Sequence, residues 1–319
     1  MRLLFLMDPM DGINTAKDTT YALMLAAASR GHTLVHALPR ALYVDRGELF
    51  VRGRPATVAR EPGAEKGTWA LGELASFAVA DLDAVLIRND PPFDAIYAYM
   101  TQLLERVRGQ TLVVNDPRGL RDANEKLYAL HFSKWMPRTL VTADPAAIRP
   151  YVEEIGGKAV IKPLDGMAGA GVFLLDADDK NFSAIVEATI GETGRTWCMV
   201  QEFLPAAREG DKRILLLDGE PLGAILRVPH AKEARANLHV GGVAEKTVVT
   251  DHERAMIADL APRLRADGLI FVGLDVIGGK LTEVNVTSPT GIQQMQKYDG
   301  VDYSSRVIEW VEKRLEKPL

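Results

Sequence analysis

The order of apolar and turn-forming segments predicts a mixed α/β and α+β fold: an N-terminal α/β domain over residues 1–122, a small central unit over 123–203 and a C-terminal α+β unit over 204–319. Three observations carry this. The N-terminal third alternates short apolar runs with helical spacing, as a parallel sheet with crossover helices does. The middle region has a strand that ends in a lysine and runs into the glycine-rich segment Lys162-Pro-Leu-Asp165-Gly166. The last region carries two hairpin patterns, one turning at Asp218-Gly219 and one at Gly278-Gly279. A length of 319 residues also exceeds what one small core needs.

Taken in order, Leu3–Met7 reads as a buried first strand, followed by a helix over Thr19–Arg30 that Gly31 ends and a strand over Thr33–Ala37. Residues 45–68, rich in Arg, Gly, Pro and Glu, read as a hairpin followed by a mobile surface loop. Ala84–Ile87 and Thr111–Val114 are further strands, with a helix over Ala95–Val107 between them. Asn115-Asp116-Pro117 marks a helix start, because it offers a capping carboxylate and a proline whose fixed φ suits the first turn. The central unit then reads as strands over Thr139–Val141, Lys158–Lys162, Val172–Leu175 and Trp197–Phe203, with helices over Pro145–Glu154 and Asn181–Ile190. The C-terminal unit gives a hairpin over Arg213–Leu217 and Leu222–Val228, a basic loop, a helix over Asp251–Asp267, the second hairpin and a terminal helix.

Composition excludes several classes. Hydrophobic residues at 47% and charged residues at 25% are those of an ordinary globular chain, and a net charge of -5 argues against non-specific nucleic-acid binding. The single cysteine, Cys198, rules out an intrachain disulfide framework and fits a reducing compartment. The first apolar run is shorter than a secretion signal's core, and no run approaches the ~20 residues of a membrane span. A cytoplasmic protein with neither nucleic-acid nor membrane partners is therefore expected. The six histidines have no metal-ligand spacing, and Cys198 in an apolar strand reads as an inert thiol.

Walker-type and dinucleotide glycine motifs are absent. The Asp165–Gly171 loop could instead lay backbone N–H groups over a phosphate chain, or be a plain turn beside a surface lysine. The last hairpin says more. With a three-residue Gly278-Gly279-Lys280 loop, Ile277 opposes Leu281, Asp275 opposes Glu283 and Gly273 opposes Asn285. Val272, Leu274, Val276, Thr282, Val284 and Val286 then line the other, apolar face. Two facing carboxylates and an amide oxygen are donors that Mg²⁺ accepts when substrate phosphates complete its shell. Lys126, Lys162, Arg213, Arg227 and Arg235 are cations that could meet an anionic substrate.

Several blocks now fall into place together: Met7-Asp8-Pro9 with Lys17-Asp18, Arg88-Asn-Asp90-Pro91-Pro92-Phe93-Asp94, Asn124-Glu125-Lys126-Leu127, and Lys162-Pro-Leu-Asp165-Gly166-Met167. They continue through Gly210-Asp211-Lys212-Arg213, Gly268-Leu-Ile-Phe-Val-Gly-Leu-Asp275 and Thr282-Glu283-Val-Asn285-Val-Thr287-Ser288-Pro289-Thr290. In this order, over nearly the whole chain, they make the sequence similar to the ATP-grasp superfamily and, within it, to the bacterial glutathione synthetases. The resemblance implies a Rossmann-like pre-ATP-grasp domain, a central lid and a C-terminal ATP-grasp unit. It implies ATP-dependent ligation of γ-glutamylcysteine to glycine through an acyl phosphate, with Mg²⁺ or alternatively Mn²⁺, in a homo-oligomer, a dimer or a tetramer. A ligase of the same fold with another amino-acid or peptide acceptor is the rival.

By that resemblance Lys126 and Lys162 contact the ATP phosphates, and Gly166, Met167 and Gly169 belong to the loop that closes over them. Gln201, Glu202, Phe203 and Leu204 border the adenine, and Asp211 lies near the ribose. Asp275, Glu283 and Asn285 hold the metal ion. Arg213, Arg227, Arg235 and Asn237 steady phosphoryl oxygens and the substrate carboxylate, and Arg88, Ser288 and Thr290 help bind γ-glutamylcysteine and glycine. The loop from His230 to Val243 is expected to close as a lid over the acyl intermediate.

Overall fold

In the computed structural model, which describes residues 1–166, 169–191, 194–229 and 243–318, the chain opens with β1 (Arg2–Leu6). Alternate residues of this strand point to opposite faces: Leu4 and Leu6 join one apolar cluster, Leu3 and Phe5 another. A strand buried on both sides needs helices on both sides, and the chain supplies them. The elements that follow are α1 (Thr19–Ser29), β2 (Thr33–Ala37), β3 (Leu42–Asp45), β4 (Glu48–Ala59), β5 (Thr68–Leu71), β6 (Ala75–Ala78), β7 (Ala84–Ile87), α2 (Ala95–Leu104) and β8 (Leu112–Val114). The helix α1 packs Tyr21, Leu23 and Met24 onto the Leu3 face, and α2 packs Tyr97, Met100 and Leu104 onto the Leu4 face. The sheet runs β3-β4-β2-β1-β7-β8, with β5 and β6 paired to β4.

The stretch 45–68 departs from expectation. A hairpin forms as read, but β4 continues to Ala59 through Arg52-Gly53-Arg54-Pro55, part of the stretch the sequence suggests is a mobile surface loop. Gly53 serves a close crossing here, since a Cβ would lie 2.8 Å from Val35 Cγ1 and 3.0 Å from the His36 carbonyl.

The chain then enters α3 (Pro117–Asp122), capped by Asp116, whose carboxylate accepts the Arg118 N–H at 2.8 Å. The central unit comprises β9 (Thr139–Thr142), α4 (Pro145–Glu154), β10 (Lys158–Pro163), β11 (Phe173–Asp176), α5 (Phe182–Ile190) and β12 (Cys198–Glu202). Its antiparallel sheet, in the order β11-β10-β12-β9, buries one face under α4 and α5 in a cluster of its own that includes Ile148, Ile161, Val186 and Val200.

The remaining elements are β13 (Asp211–Leu217), β14 (Glu220–Val228), β15 (Val243–Lys246), α6 (Asp251–Ala266), β16 (Phe271–Ile277), β17 (Lys280–Asn285), α7 (Ile292–Asp299) and α8 (Tyr303–Leu315). Their sheet runs β15-β14-β13-β16-β17. Where the sequence suggests one terminal helix there are two, because Gly300 takes a left-handed φ of 68° after α7 and Asp302 restarts the helix by capping Ser305 N–H at 3.0 Å. The first and third sheets share both large apolar clusters, so they form one packed body. Asn115 bolts them together: its amide donates to Phe271 O (2.9 Å) and Val286 O (2.7 Å) and accepts from Ile270 and Phe271 N–H (both 2.8 Å).

Candidate functional site

The far end of β10 meets the open side of β17. Lys162, nearly buried, points its ammonium at Glu283 Oε1 (3.1 Å) and the Thr282 carbonyl (3.4 Å). Lys126 reaches the same place from the segment before β9, with its Nζ 2.6 Å from Glu125 Oε1, 2.6 Å from the Gly166 carbonyl and 4.0 Å from Glu283 Oε1. Local hydrogen bonds fix this approach. The Asn124 side chain accepts from Lys126 and Leu127 N–H and donates to Leu164 O at 3.0 Å, while Val284 N–H donates to Glu125 O at 2.9 Å. Asn124-Glu125-Lys126 is thereby clamped between the glycine loop and the acidic strand. Gly166 permits the tight start of that loop, because a Cβ there would meet Pro163 Cγ at 2.7 Å and the Ala170 carbonyl at 2.8 Å.

The acidic hairpin pairs Asp275 with Glu283 and Gly273 with Asn285, as the pattern predicts. Its turn differs. Ile277 opposes Lys280, so the loop is the two glycines Gly278-Gly279, and the register shifts between Asp275 and Val276. Thr282 is the extra residue of this bulge, and Leu281 consequently turns into the core beside Val276 while Thr282 leaves it half-exposed. The bulge cancels the shorter turn, which is why the carboxylates still face one another.

Asp275 is clamped by two arginines. Arg213 Nε and Nη2 lie 2.5 and 3.1 Å from its two oxygens, and Arg227 Nη2 lies 2.9 Å from Oδ2. Arg213 reaches across β16 over Gly273, where a Cβ would sit 3.1 Å from its Cδ. Arg227 also bonds Asp211, whose carboxylate closes the network. Burial would raise the pKa of Asp275, yet Arg213 and Arg227 outweigh it and hold this carboxyl well below the usual range. Burial dominates at Asp211, which is pushed up to about 6 despite Arg227. Glu283 resists burial through Lys162 and Lys126 and is lowered, whereas Glu125 is raised by burial and by the neighbouring charge of Glu283.

Among the described residues no three His, Cys, Asp or Glu side chains converge as a preformed cage. The donor chemistry nonetheless fits a hard dication: two carboxylates stand directly opposite on β16 and β17, and Asn285, two residues beyond Glu283 on β17, brings an amide oxygen. Phosphate oxygens would have to supply the rest of the coordination shell.

Gln201 is buried near the end of β12 and bonds Thr139 Oγ1 at 3.1 Å, Glu202 ends that strand half-buried, and Phe203 and Leu204 follow half-buried on the connection to β13. Gly169, with φ 78°, is where the described part of the glycine loop resumes. Met167, Arg235 and Asn237 lie outside the described residues, as does the loop 230–242. Arg88 lies at the end of β7. Its Nη2 donates to Pro289 O (3.0 Å), Ser288 Oγ donates back to Arg88 O (3.3 Å), and Thr290 O accepts from Arg213 Nη1 (3.3 Å). The Arg88, Ser288 and Thr290 group therefore adjoins the Asp275 clamp. Sequence reasoning did not single out Glu125, although it stands next to Lys126 in the Asn124-Glu125-Lys126 block.

A lysine pair, a glycine loop and an acidic hairpin held between two antiparallel sheets define an ATP-grasp carboxylate-amine ligase. The family profile "Prokaryotic glutathione synthetase, ATP-grasp domain" matches residues 125–300, and "Prokaryotic glutathione synthetase, N-terminal domain" matches 1–121. Curated relatives called glutathione synthetase are 46% identical in Synechococcus elongatus (98% of each chain covered) and 44% identical in Mesorhizobium japonicum (96% of each). The chain belongs to the prokaryotic glutathione synthetase family. Solved structures share the fold at low identity: a D-cycloserine synthetase at 16% (TM-score 0.68, 98% and 99% of the two chains) and an ATP-grasp ligase complexed with minimal precursor, Mg and ADP at 17% (TM-score 0.62, 99% and 98%). No helix of the described residues is long and apolar enough to cross a membrane.

Proposed function

We propose that the site makes glutathione by transferring the γ-phosphoryl group of ATP to the cysteinyl carboxylate of γ-glutamylcysteine and then exchanging phosphate for glycine. The observation that carries this is the convergence of Lys126, from the segment before β9, and Lys162 of β10 on Glu283 of β17, beside the Asp275 clamp. We divide the chain for this purpose into 1–122, a lid over 123–203 and 204–319.

Adenine lies along Gln201–Leu204, and Asp211 faces the ribose side. The ammonium groups of Lys126 and Lys162 bind the phosphates, the loop Gly166–Gly169 with Met167 covers them, and Arg213 and Arg227 steady the oxygens where charge develops. Arg235 and Asn237 belong to the loop that covers the intermediate. Asp275, Glu283 and Asn285 would hold Mg²⁺, or Mn²⁺ in its place, which when bound neutralises phosphate charge. A substrate carboxylate oxygen attacks phosphorus as ADP departs. The amine of glycine then attacks the acyl carbon, phosphate leaves with the C–O electron pair and the amine gives up a proton. The protein provides placement and fixed charge, and no side chain becomes covalently attached. The protein acts as a cytoplasmic homo-oligomer, a dimer or a tetramer, with small-molecule partners only.

The test is ADP and phosphate release that requires both γ-glutamylcysteine and glycine. Glu283→Gln should abolish it at millimolar Mg²⁺. Near-normal turnover in that variant refutes the metal assignment, and turnover with another amine but not glycine selects the rival acceptor.

A further inference from the structure

A cavity of about 250 Å³ lies at the free edge of the first sheet, and none of the groups assigned to the phosphoryl chemistry lines it. β8 is the last strand on that side. Its Leu112 N–H turns towards β7 and donates to Asp83 O at 3.2 Å, so the Val113 N–H, one residue on, turns to the open side where the cavity is. Leu104 at the end of α2, Leu112 and Pro117 give the cavity apolar walls. Its charged groups are incompletely used. Arg108 donates through Nη2 to Asp116 Oδ2 (3.0 Å), and Arg314 of α8 donates through Nη1 to the Pro318 carbonyl (2.9 Å). The remaining N–H groups of both guanidiniums have no acceptor among the described residues. Glu105 accepts through Oε1 alone, from Arg118 Nε (2.8 Å) and from Arg121 Nη2, and its Oε2 has no donor among the described residues. Arg121 and Arg118 hold this carboxyl below the usual range, so it is ionised at neutral pH.

Four arginines against two carboxylates make the surroundings positive, which calls for an anion. Not every anion fits. Inorganic phosphate would satisfy the guanidiniums, yet it would set its charge against Glu105 Oε2 and press polar oxygens on the leucine walls. An acidic amino acid meets each feature with a different part. Its two carboxylates match two guanidinium forks, its methylene groups lie on Leu104 and Leu112, and its ammonium answers Glu105. The volume falls below the range of about 300–1,000 Å³ that drug-sized ligands occupy, and so suits a molecule of this size.

We propose that this cavity binds a free acidic amino acid, with Arg108 and Arg314 taking its two carboxylates and Glu105 its ammonium. The test is methyl NMR of the full chain, which reads Leu112 and Val113 directly and so separates binding here from binding in the catalytic cleft. L-Glutamate should shift these methyl signals saturably. Glutarate, which lacks the ammonium, and 4-aminobutyrate, which lacks the α-carboxylate, should each bind roughly tenfold more weakly, the worth of a hydrogen bond to a charged group. Arg314→Gln gives up only the bond to Pro318 O, so the fold is kept, and it should weaken L-glutamate roughly tenfold. Glu105→Gln should abolish the preference for L-glutamate over glutarate while leaving glutarate bound. Several results overturn the proposal: no saturable shift at tens of millimolar L-glutamate, an affinity unchanged in Arg314→Gln, or a preference over glutarate that survives Glu105→Gln. Inorganic phosphate that shifts the same methyls as strongly as L-glutamate would also overturn it, since the cavity would then be a general anion site.

Discussion

Replacing Asp275 by Asn should destabilise the protein by about 3 kcal/mol, the lower end of the cost of breaking a buried ion pair. The structure sets that figure. Arg213 and Asp275 are both less than a tenth exposed, and two guanidinium nitrogens lie 2.5 and 3.1 Å from the two carboxylate oxygens. In the variant Arg213 keeps only neutral acceptors, Thr290 O and the new amide oxygen, for a buried positive charge. Arg227 suffers less because it retains Asp211, which keeps the cost from the upper end of the range. Urea denaturation at neutral pH, followed by tryptophan fluorescence, measures the effect. A cycle with Arg213→Met isolates the pair, and a coupling of about 2 kcal/mol is expected for groups in such contact. The sign with pH is fixed as well. Because the pKa of Asp275 is depressed on folding, its contribution is present above the unfolded value of 3.8 and is lost as pH falls towards the folded one. The difference between wild type and Asp275→Asn should therefore shrink below about pH 4. A loss under 1 kcal/mol, or a coupling indistinguishable from zero, would refute the clamp.

Asp211 should behave in the opposite sense: with its pKa raised from 3.8 to about 6, the folded state takes up the proton first, so this group favours folding as pH falls from 7 towards 4. The gap corresponds to at most about 3 kcal/mol, and Asp211→Asn should remove that slope from the pH dependence of urea midpoints. A slope unchanged in the variant would place the proton uptake elsewhere. Asn115→Ala strands two N–H groups and two carbonyls at the junction of two sheets and should cost roughly 4 kcal/mol, whereas a loss below 1 kcal/mol would mean that water replaces the amide. Gly166→Ala pushes a methyl group against Pro163 and the Ala170 carbonyl, so the KM for ATP should rise at least fivefold with stability nearly unchanged, and an unaltered KM would remove this loop from the phosphate site.

Most of the strand and helix order was legible because hydrophobic periodicity and capping residues agree locally, as in α1, α4 and the Asp218-Gly219 hairpin, where both turn residues have positive φ. The facing of Asp275 and Glu283 was legible in the strand pattern, though by way of a three-residue loop that the structure replaces with a two-residue turn and a bulge. The turn that produces it was not, because a glycine pair suits either loop length and a bulge at Thr282 leaves no mark in composition. The course of β4 was hidden for a related reason: Gly53 and Pro55 read as part of a surface loop, and only the neighbouring Val35 side chain and His36 carbonyl show that glycine is there for clearance. Long-range pairings escape pattern reading altogether. Asp275 with two arginines, Glu283 with Lys162 and Lys126, and the four bonds of Asn115 are all set by tertiary approach.

Those pairings bear on how the site can work. Among the described residues, each cation offered to the phosphates already has a carboxylate: Lys162 has Glu283, Lys126 has Glu125, Arg213 has Asp275, and Arg227 has Asp211 and Asp275. A polyphosphate arriving alone would have to compete with these partners in a buried setting, where an abandoned carboxylate is costly. Arriving with a dication, it brings a partner for the carboxylates it displaces, and lysines and acids can separate without either being left bare. The carboxylates thus serve twice, first holding the cations in place and then receiving positive charge. This explains why Glu283, among the described residues the one acid within 4.0 Å of both lysines, is the residue whose neutralisation should cost the most activity.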